Sequence, residues 1–342
     1  MILPSLPKER VVRSLPQNLV PEDLPLFAHE MEKTFGGATS TEGNWDFTPE
    51  GLLLAPGSSL VVGLSFQGTS PEGLLSRWKV RAKGLRARWF HPCEVPVLSV
   101  GTRPLIVTDE FSNGYFHWIA DALPKIWWVK DRLDEFTLIL PAFAQKYRYM
   151  NESLALWPGL RTLIVGENRR TALRGALVLP SQAPTGNYRP AFVTGLGSDW
   201  RAFLGTGRPH RKVYVSRQKA PWRKVRNEDV VWSRLHSQGF ERVFLEDLPF
   251  AEQVRLLAET EVLVSNHGAG LTNLLFMVPG TRVLEVRMRG DAANNCYFSL
   301  ASAVGLEYFY LLADPLPGQS DSHTADLIVD PVALDQVLEA IL

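Results

Sequence analysis

Cysteine is nearly absent from this chain of 342 residues. Cys93 and Cys296 stand far apart and without metal-ligand spacing, which excludes a disulfide framework and a zinc site and points to a reducing compartment. Both thiols are expected as buried packing residues. No Asp-x-Asp, His-x-x-x-His or Cys-x-x-Cys occurs, so the sequence offers no dedicated divalent metal site. Neither sign of charge is in excess: 36 Lys and Arg face 36 Asp and Glu. No global field therefore draws the protein to nucleic acid or anionic lipid, and any anion site must be local. Long apolar runs are lacking too. The stretch Trp118 to Val129 is broken by Asp121, Pro124 and Lys125, too short and too polar for a span of about 20 residues. Met1 to Gln17 contains Lys8, Glu9, Arg10 and Arg13 among prolines and no apolar run of the roughly 7 to 15 residues a signal peptide needs. The expectation is a cytoplasmic protein, in at most peripheral contact with the inner face of a membrane.

Hydrophobic residues make up 45% and charged residues 21%, the balance of a globular protein. The length exceeds that of one ordinary core, so two domains with a cleft between them are expected. From Lys212 onward short β-branched runs alternate with amphipathic stretches, the pattern of a parallel sheet covered by helices. Strands are predicted at Lys212 to Ser216, Arg242 to Leu245, Glu261 to Ser265, Arg282 to Val286 and Tyr308 to Leu312. Helices are predicted at Asn227 to Ser237, capped by Asn227, after Asp247 as a cap, at Leu271 to Met277, Tyr297 to Val304 and Pro331 to Leu342. The first half is less regular. Leu52 to Val62 and Trp78 to Trp89 read as hairpins or edge strands, and βα alternation resumes at Pro104, with His117 to Val129 as a helix. Glycine and proline cluster at Gly205 to Pro209, so the predicted domains are residues 1–205 and 206–342.

Three clusters carry chemistry. In Val264 to Asn273 a strand ends in small residues and a helix begins. There Gly268, Ala269, Gly270 and Leu271 would offer backbone amides, and Thr272 and Asn273 side-chain donors, to a diphosphate; the same glycines also suit a plain turn. His267 is charge-tunable near neutrality and could reach a phosphate or sugar hydroxyl, though a lone histidine also packs in cores. Ser216 and Arg217 lie just past a strand, at the edge where open α/β sheets bind ligands. Arg217 and Arg223 stand out from a basic run that otherwise reads as a solvated face, because a guanidinium can clamp phosphate oxygens. Glu246, Asp247 and Leu248, at the end of another strand, would flank a ribose or base. In the first half, His117 and Asp121 are four residues apart and share a helix face, so the carboxylate can orient the imidazole or both can address one hydroxyl. A helix-capping network is the alternative there.

The pattern Tyr115-Phe116-His117-Trp118 through Asp121 and Leu123-Pro124, then Val215-Ser216-Arg217, then His267-Gly268-Ala269-Gly270-Leu271-Thr272-Asn273 resembles the family 61 glycosyltransferases, among them bacterial capsular-polysaccharide and plant xylosyl or arabinosyl enzymes. The resemblance spans about residues 104–312. It implies a GT-B-like α/β architecture of two facing Rossmann-like domains, the second holding a UDP-sugar and the first the acceptor and the base, Asp121 or His117. It also implies inversion at the anomeric carbon without a metal or other cofactor. The expected acceptor is a glycan or lipid-linked glycan in surface polysaccharide synthesis. A non-catalytic nucleotide-sugar binder in a polysaccharide assembly complex is the alternative, and a phosphate-ester hydrolase is disfavoured by the want of a carboxylate cluster.

Overall fold

A computed structural model describes residues 4–56, 82, 84–109 and 111–342. The chain is mixed α/β and divides into two compact units, residues 1–9 with 35–185 and residues 10–34 with 186–342.

The second unit is built on the alternation that the sequence displays. Its six-stranded sheet runs, in spatial order, Glu241–Val243, Arg211–Val215, Thr260–Asn266, Arg282–Met288, Glu307–Pro315 and Leu327–Ile328. All neighbours are parallel except the last pair. In chain order the five parallel strands lie 2-1-3-4-5. The order reverses between Arg211–Val215 and Thr260–Asn266, and ligands of such sheets bind beyond the carboxyl ends of the strands at this point. Helices Glu228–Ser237 and Pro331–Ile341 bury Leu235, Leu334 and Leu338 against Val264 and Leu284 of the sheet. Elsewhere Trp200, Phe250 and Phe276 meet edge to face, their centroids 5.2 to 5.6 Å apart along the series.

Pro190–Leu204 is a helix that the periodicity did not reveal. A Cβ on its Gly197 would lie 2.2 Å from the Leu275 carbonyl oxygen, so this helix packs on Ala269–Phe276 backbone to backbone. Beside residues 10–34, the unit therefore takes in the chain from Gly186, where the division was expected at 205/206; Gly205 is the left-handed cap that ends the helix.

Residues 10–34 form a strap on the same unit. Asn18 brackets Tyr310, its Nδ2 donating to the carbonyl at 2.7 Å and its Oδ1 accepting from the amide at 3.1 Å. The Gln17 amide donates to the Tyr308 carbonyl. Phe27, fully buried, packs on Phe298, Tyr308 and Tyr310. Along Tyr308–Tyr310 the hydrogen-bonding edge of strand Glu307–Pro315 is thereby occupied by Gln17 and Asn18.

The first unit holds a seven-stranded mixed sheet in the order Arg161–Ile164, Phe136–Leu140, Arg103–Ile106, Arg170–Val178, Thr41–Phe47 and Leu53–Leu54, with Cys93–Glu94 also pairing Arg170–Val178. Phe47, Ile106, Ile139, Leu173 and Val178 form its core. Residues 84–90 are helical where a hairpin or edge strand was expected. Leu85, Ala87 and the two arginines in that stretch favour helix, and Ala87 is its buried contact. Of the two expected hairpins, residues 57–62, 78–81 and 83 lie outside the described residues. Cys93 is exposed and Cys296 half-buried, so neither is the core residue expected. No helix among the described residues is long and apolar enough to cross a membrane.

Candidate active site

In the first unit the helical run Tyr115–Trp128 is interrupted by a π turn at Trp118–Ala122. Pro124 explains the turn: it has no N–H to give to the Ala120 carbonyl, and the Leu123 amide reaches back five residues to Trp118 instead. The widened turn contains Asp121 and begins directly after His117, and π bulges recur at functional sites. His117 Nδ1 and Asp121 Oδ2 are 2.9 Å apart, and the Thr185 hydroxyl donates to the same oxygen at 3.3 Å. Trp118 anchors the turn from beneath, its Nε1 donating to Ser153 Oγ at 2.7 Å. Below it the buried Lys125 ammonium donates to the Val107 carbonyl at 3.0 Å. Burial pulls this ammonium below its ordinary range, opposed by Asp109 and Asp121. The His117–Asp121 contact is therefore a formed, half-buried pair with a cation behind the carboxylate.

In the second unit the loops after Arg211–Val215 and Thr260–Asn266 meet. Gly268 has φ 166°, an extended conformation open to any residue, so its glycine is required for space. A Cβ there would stand 2.0 Å from Arg217 Nη1 and 2.4 Å from Cζ: the guanidinium lies directly on the Gly268 backbone. Of the basic run, Arg211 pairs with Glu241, Lys219 with Asp247 and Arg226 with Asp326. Neither Arg217 nor Arg223 pairs with a carboxylate among the described residues, and the Nε of each is buried without a partner. Burial, then the like charge of Arg223, disfavours the Arg217 cation, with Tyr297 and Glu246 opposing. Arginine stays charged regardless, so an anion is what would relieve the site. Arg223 is also held in a left-handed conformation, φ 59°, alone among the described non-glycine residues. The Asn266 amide donates to its carbonyl, and local strain of this kind collects at ligand sites.

His267 is fixed from behind. Its Nδ1 lies 2.5 Å from Glu285 Oε1, and the Tyr308 hydroxyl donates to Glu285 Oε2 at 2.6 Å. Glu285 is fully buried. Burial is the largest influence on its carboxyl and raises it, but His267, Arg287 and Tyr308 together outweigh burial and hold it below the ordinary carboxylate range. An ionised Glu285 accepts the Nδ1 proton, which leaves Nε2 of His267 to address a ligand. The Tyr297 ring lies 4.8 Å from the imidazole.

Several expected donors turn out to be occupied. The Ser216 hydroxyl donates to Glu228 at 2.5 Å, and Asn273, fully buried, donates to Gln253 and to the Gly270 carbonyl. Leu271 and Thr272 are fully buried as well. The short helix expected at Leu271 to Met277 is present as the 3₁₀ helix Ala269–Phe276. Leu245–Asp247 is another 3₁₀ turn; Asp247 pairs with Lys219 instead of capping Phe250–Ala258, and Glu246 and Leu248 lie beside it. Likewise Asn227 occupies the cap position of its helix, but its side chain bonds the Val329 backbone. Glu285, Tyr308 and Tyr297 were missed from sequence, although a glutamate and an arginine inside the apolar strand Arg282–Met288 were the available sign. Among the described residues no three His, Cys, Asp or Glu side chains gather as a metal cluster.

Comparison with known proteins places these clusters in one match. The family model Glycosyltransferase 61 covers residues 115–284, from just before His117 to just before Glu285. An EGF domain-specific O-linked N-acetylglucosamine transferase of Drosophila melanogaster is 36% identical over 106 residues, 29% of this chain and 20% of that protein. Proteins of the same description from Bos taurus and Mus musculus are each 30% identical over 102 residues, 28% of this chain and 19% of theirs. The match thus spans about a fifth of the length of these curated relatives.

Proposed function

We propose, from the premise that residues 115–284 make this chain a member of glycosyltransferase family 61, that it moves a sugar from a UDP-sugar to a hydroxyl of a glycan. The reading includes a GT-B arrangement, inversion at the anomeric carbon, no required metal, and a role in surface polysaccharide synthesis. One observation carries it. Two arginines without carboxylate partners, Arg217 laid on Gly268 and Arg223 held by Asn266, stand where the strand order of the second unit reverses. Their unpartnered Nε groups and the adjacent backbone form a donor set suited to a nucleoside diphosphate.

The step is a single displacement. The acceptor oxygen bonds to C1 of the sugar as the bond from C1 to the β-phosphate oxygen breaks, and UDP leaves with that electron pair. Negative charge grows on the diphosphate, where Arg217 and Arg223 stabilise it. The hydroxyl proton goes to the first-unit pair. With Asp121 accepting the Nδ1 proton, His117 presents Nε2 as the base and Asp121 orients it and balances the imidazolium; the reverse assignment, with Asp121 as base, is separated from this one by mutation. Calorimetry of UDP in excess chelator, followed by UDP-N-acetylglucosamine, UDP-xylose and UDP-arabinose watched for slow hydrolysis, tests the reading. Binding that needs magnesium or manganese would remove the metal-free part, and binding without any hydrolysis or transfer would leave a nucleotide-sugar binder instead of an enzyme.

A further inference from the structure

The first unit contains a cavity of about 420 Å³ that the donor chemistry leaves unused, within the range of about 300–1,000 Å³ typical of small-ligand pockets. Its wall includes Phe143 and Ala142, with Glu50, Asn113, Lys146 and Asn168 as polar lining. Glu50 Oε2 is buried without a hydrogen-bond partner among the described residues. A carboxylate oxygen in that state calls for a donor such as a hydroxyl.

From Phe143 a row of half-buried rings leads away. Phe143 and Tyr147 have centroids 6.4 Å apart, Tyr147 and Tyr149 5.5 Å, Tyr149 and Tyr115 5.1 Å. Tyr149 ties the row back to the cavity wall, its hydroxyl donating to the Asn113 carbonyl at 2.6 Å. Tyr115 stands two residues before His117, whose imidazole contacts Phe111 and Phe116 at 5.6 and 5.1 Å. Aromatic faces interleaved with amides and a carboxylate match the chemistry of a sugar ring, which presents apolar C–H faces and a rim of hydroxyls. Charge narrows the class. Lys146 is paired with Glu167 at 3.2 Å and Glu50 Oε1 lies 3.9 Å from His91 Nε2, so the lining itself sets the carboxylates Glu50 and Glu167 against the single ammonium of Lys146, unfavourable to uronic or sialic acids.

We infer that this cavity and the row Phe143–Tyr147–Tyr149–Tyr115 bind a neutral saccharide segment of the acceptor, feeding its hydroxyl end toward His117. The inference rests on the transferase reading for its purpose, but the binding itself is measurable apart from turnover. Saturation-transfer NMR on the full chain, with di-N-acetylchitobiose, xylobiose and lactose as probes and glucuronic and sialic acids as charged controls, reads it directly. At least one neutral disaccharide should receive saturation, and the charged sugars should receive less. Phe143→Ala and Tyr147→Ala should each weaken that binding by about three- to tenfold, Tyr147→Phe should restore it, and UDP affinity should not move, which also shows the variants to be folded. Saturation of none of the neutral probes, or binding unchanged in both alanine variants, overturns the inference. Saccharide binding in a protein that takes no UDP would sink the transferase reading while leaving the cavity assignment intact.

Discussion

Replacing Gly268 by alanine tests the donor site through a residue whose own backbone needs no glycine. At φ 166° the position accepts any side chain, so the chain itself is not strained. The added Cβ, however, would fall 2.0 Å from Arg217 Nη1, 2.4 Å from Cζ and 2.9 Å from Nε. Heavy atoms settle at about 3.5 Å or more, so the guanidinium must move by over an ångström. It sits at the end of a flexible side chain, and the displacement leaves the sheet and helices in place. Stability should change by about 1 kcal/mol or less, a melting shift of roughly 2–4 °C. UDP affinity should fall further: one lost charge-assisted contact to the diphosphate is worth about 1.5–3 kcal/mol, or roughly 10- to 150-fold in Kd. Arg217→Ala should show the same loss, and the Gly268→Ala/Arg217→Ala double variant should be no worse than either single one, since both remove the same contact. Calorimetry on the four proteins gives the cycle. If Gly268→Ala binds UDP like the wild type while Arg217→Ala does not, Arg217 does not meet the nucleotide from its place on Gly268. Fully additive losses would mean that the two residues act separately.

Two further outcomes follow from the same contacts. Asp121→Asn should lower transfer by about 10²- to 10⁴-fold with UDP affinity unchanged, because the amide cannot hold the Nδ1–H tautomer of His117; His117→Ala should be as inactive, whereas an active His117→Ala beside a dead Asp121→Asn makes the carboxylate the base. Glu285→Gln should destabilise the second unit by about 2–4 kcal/mol at pH 7, since Gln cannot accept from both His267 and Tyr308. The Glu285 carboxyl is held below its ordinary range in the folded state, so its stabilisation is present above about pH 4.3 and is lost as pH falls through the lower folded value. Urea unfolding at pH 7, 5 and 3 should therefore show the wild type's advantage shrinking only at the acid end; an advantage constant to pH 3 would show that the charge of Glu285 is not what the network uses.

Most of the second unit was legible because parallel strands buried on both faces leave continuous β-branched runs, separated by helices with their own period. Val262 to Val264 and Val283 to Leu284 could hardly be read otherwise. Arg217 and Arg223 could also be singled out, since strand ends mark the ligand edge. What could not be read depended on partners distant in sequence. Nothing in Gly197 announces that a helix presses it against the Leu275 carbonyl, and nothing near Asn18 names Tyr310. Glu285 was overlooked because its reason for burial is a histidine on the neighbouring strand's exit loop. In the first unit, short strands joined by prolines and aromatics carry too little period to phase. The π turn at Trp118–Ala122 is the exception, since Pro124 signals trouble in the helix without saying what form it takes.

The strap of residues 10–34 has a consequence for how the protein is made. The second unit is discontinuous in the gene: its edge is covered by a segment synthesised well before it, and Asn18 precedes its partner Tyr310 by 292 positions. At about 5–20 residues per second, roughly 15 to 60 s of translation separate the two. Through that interval Phe27 has no pocket to enter, since Phe298, Tyr308 and Tyr310 do not yet exist. Completion of the second unit must await synthesis through Tyr310, and a fragment beginning at Gly186 would emerge with the Tyr308 and Tyr310 backbone uncovered and an empty socket where Phe27 belongs.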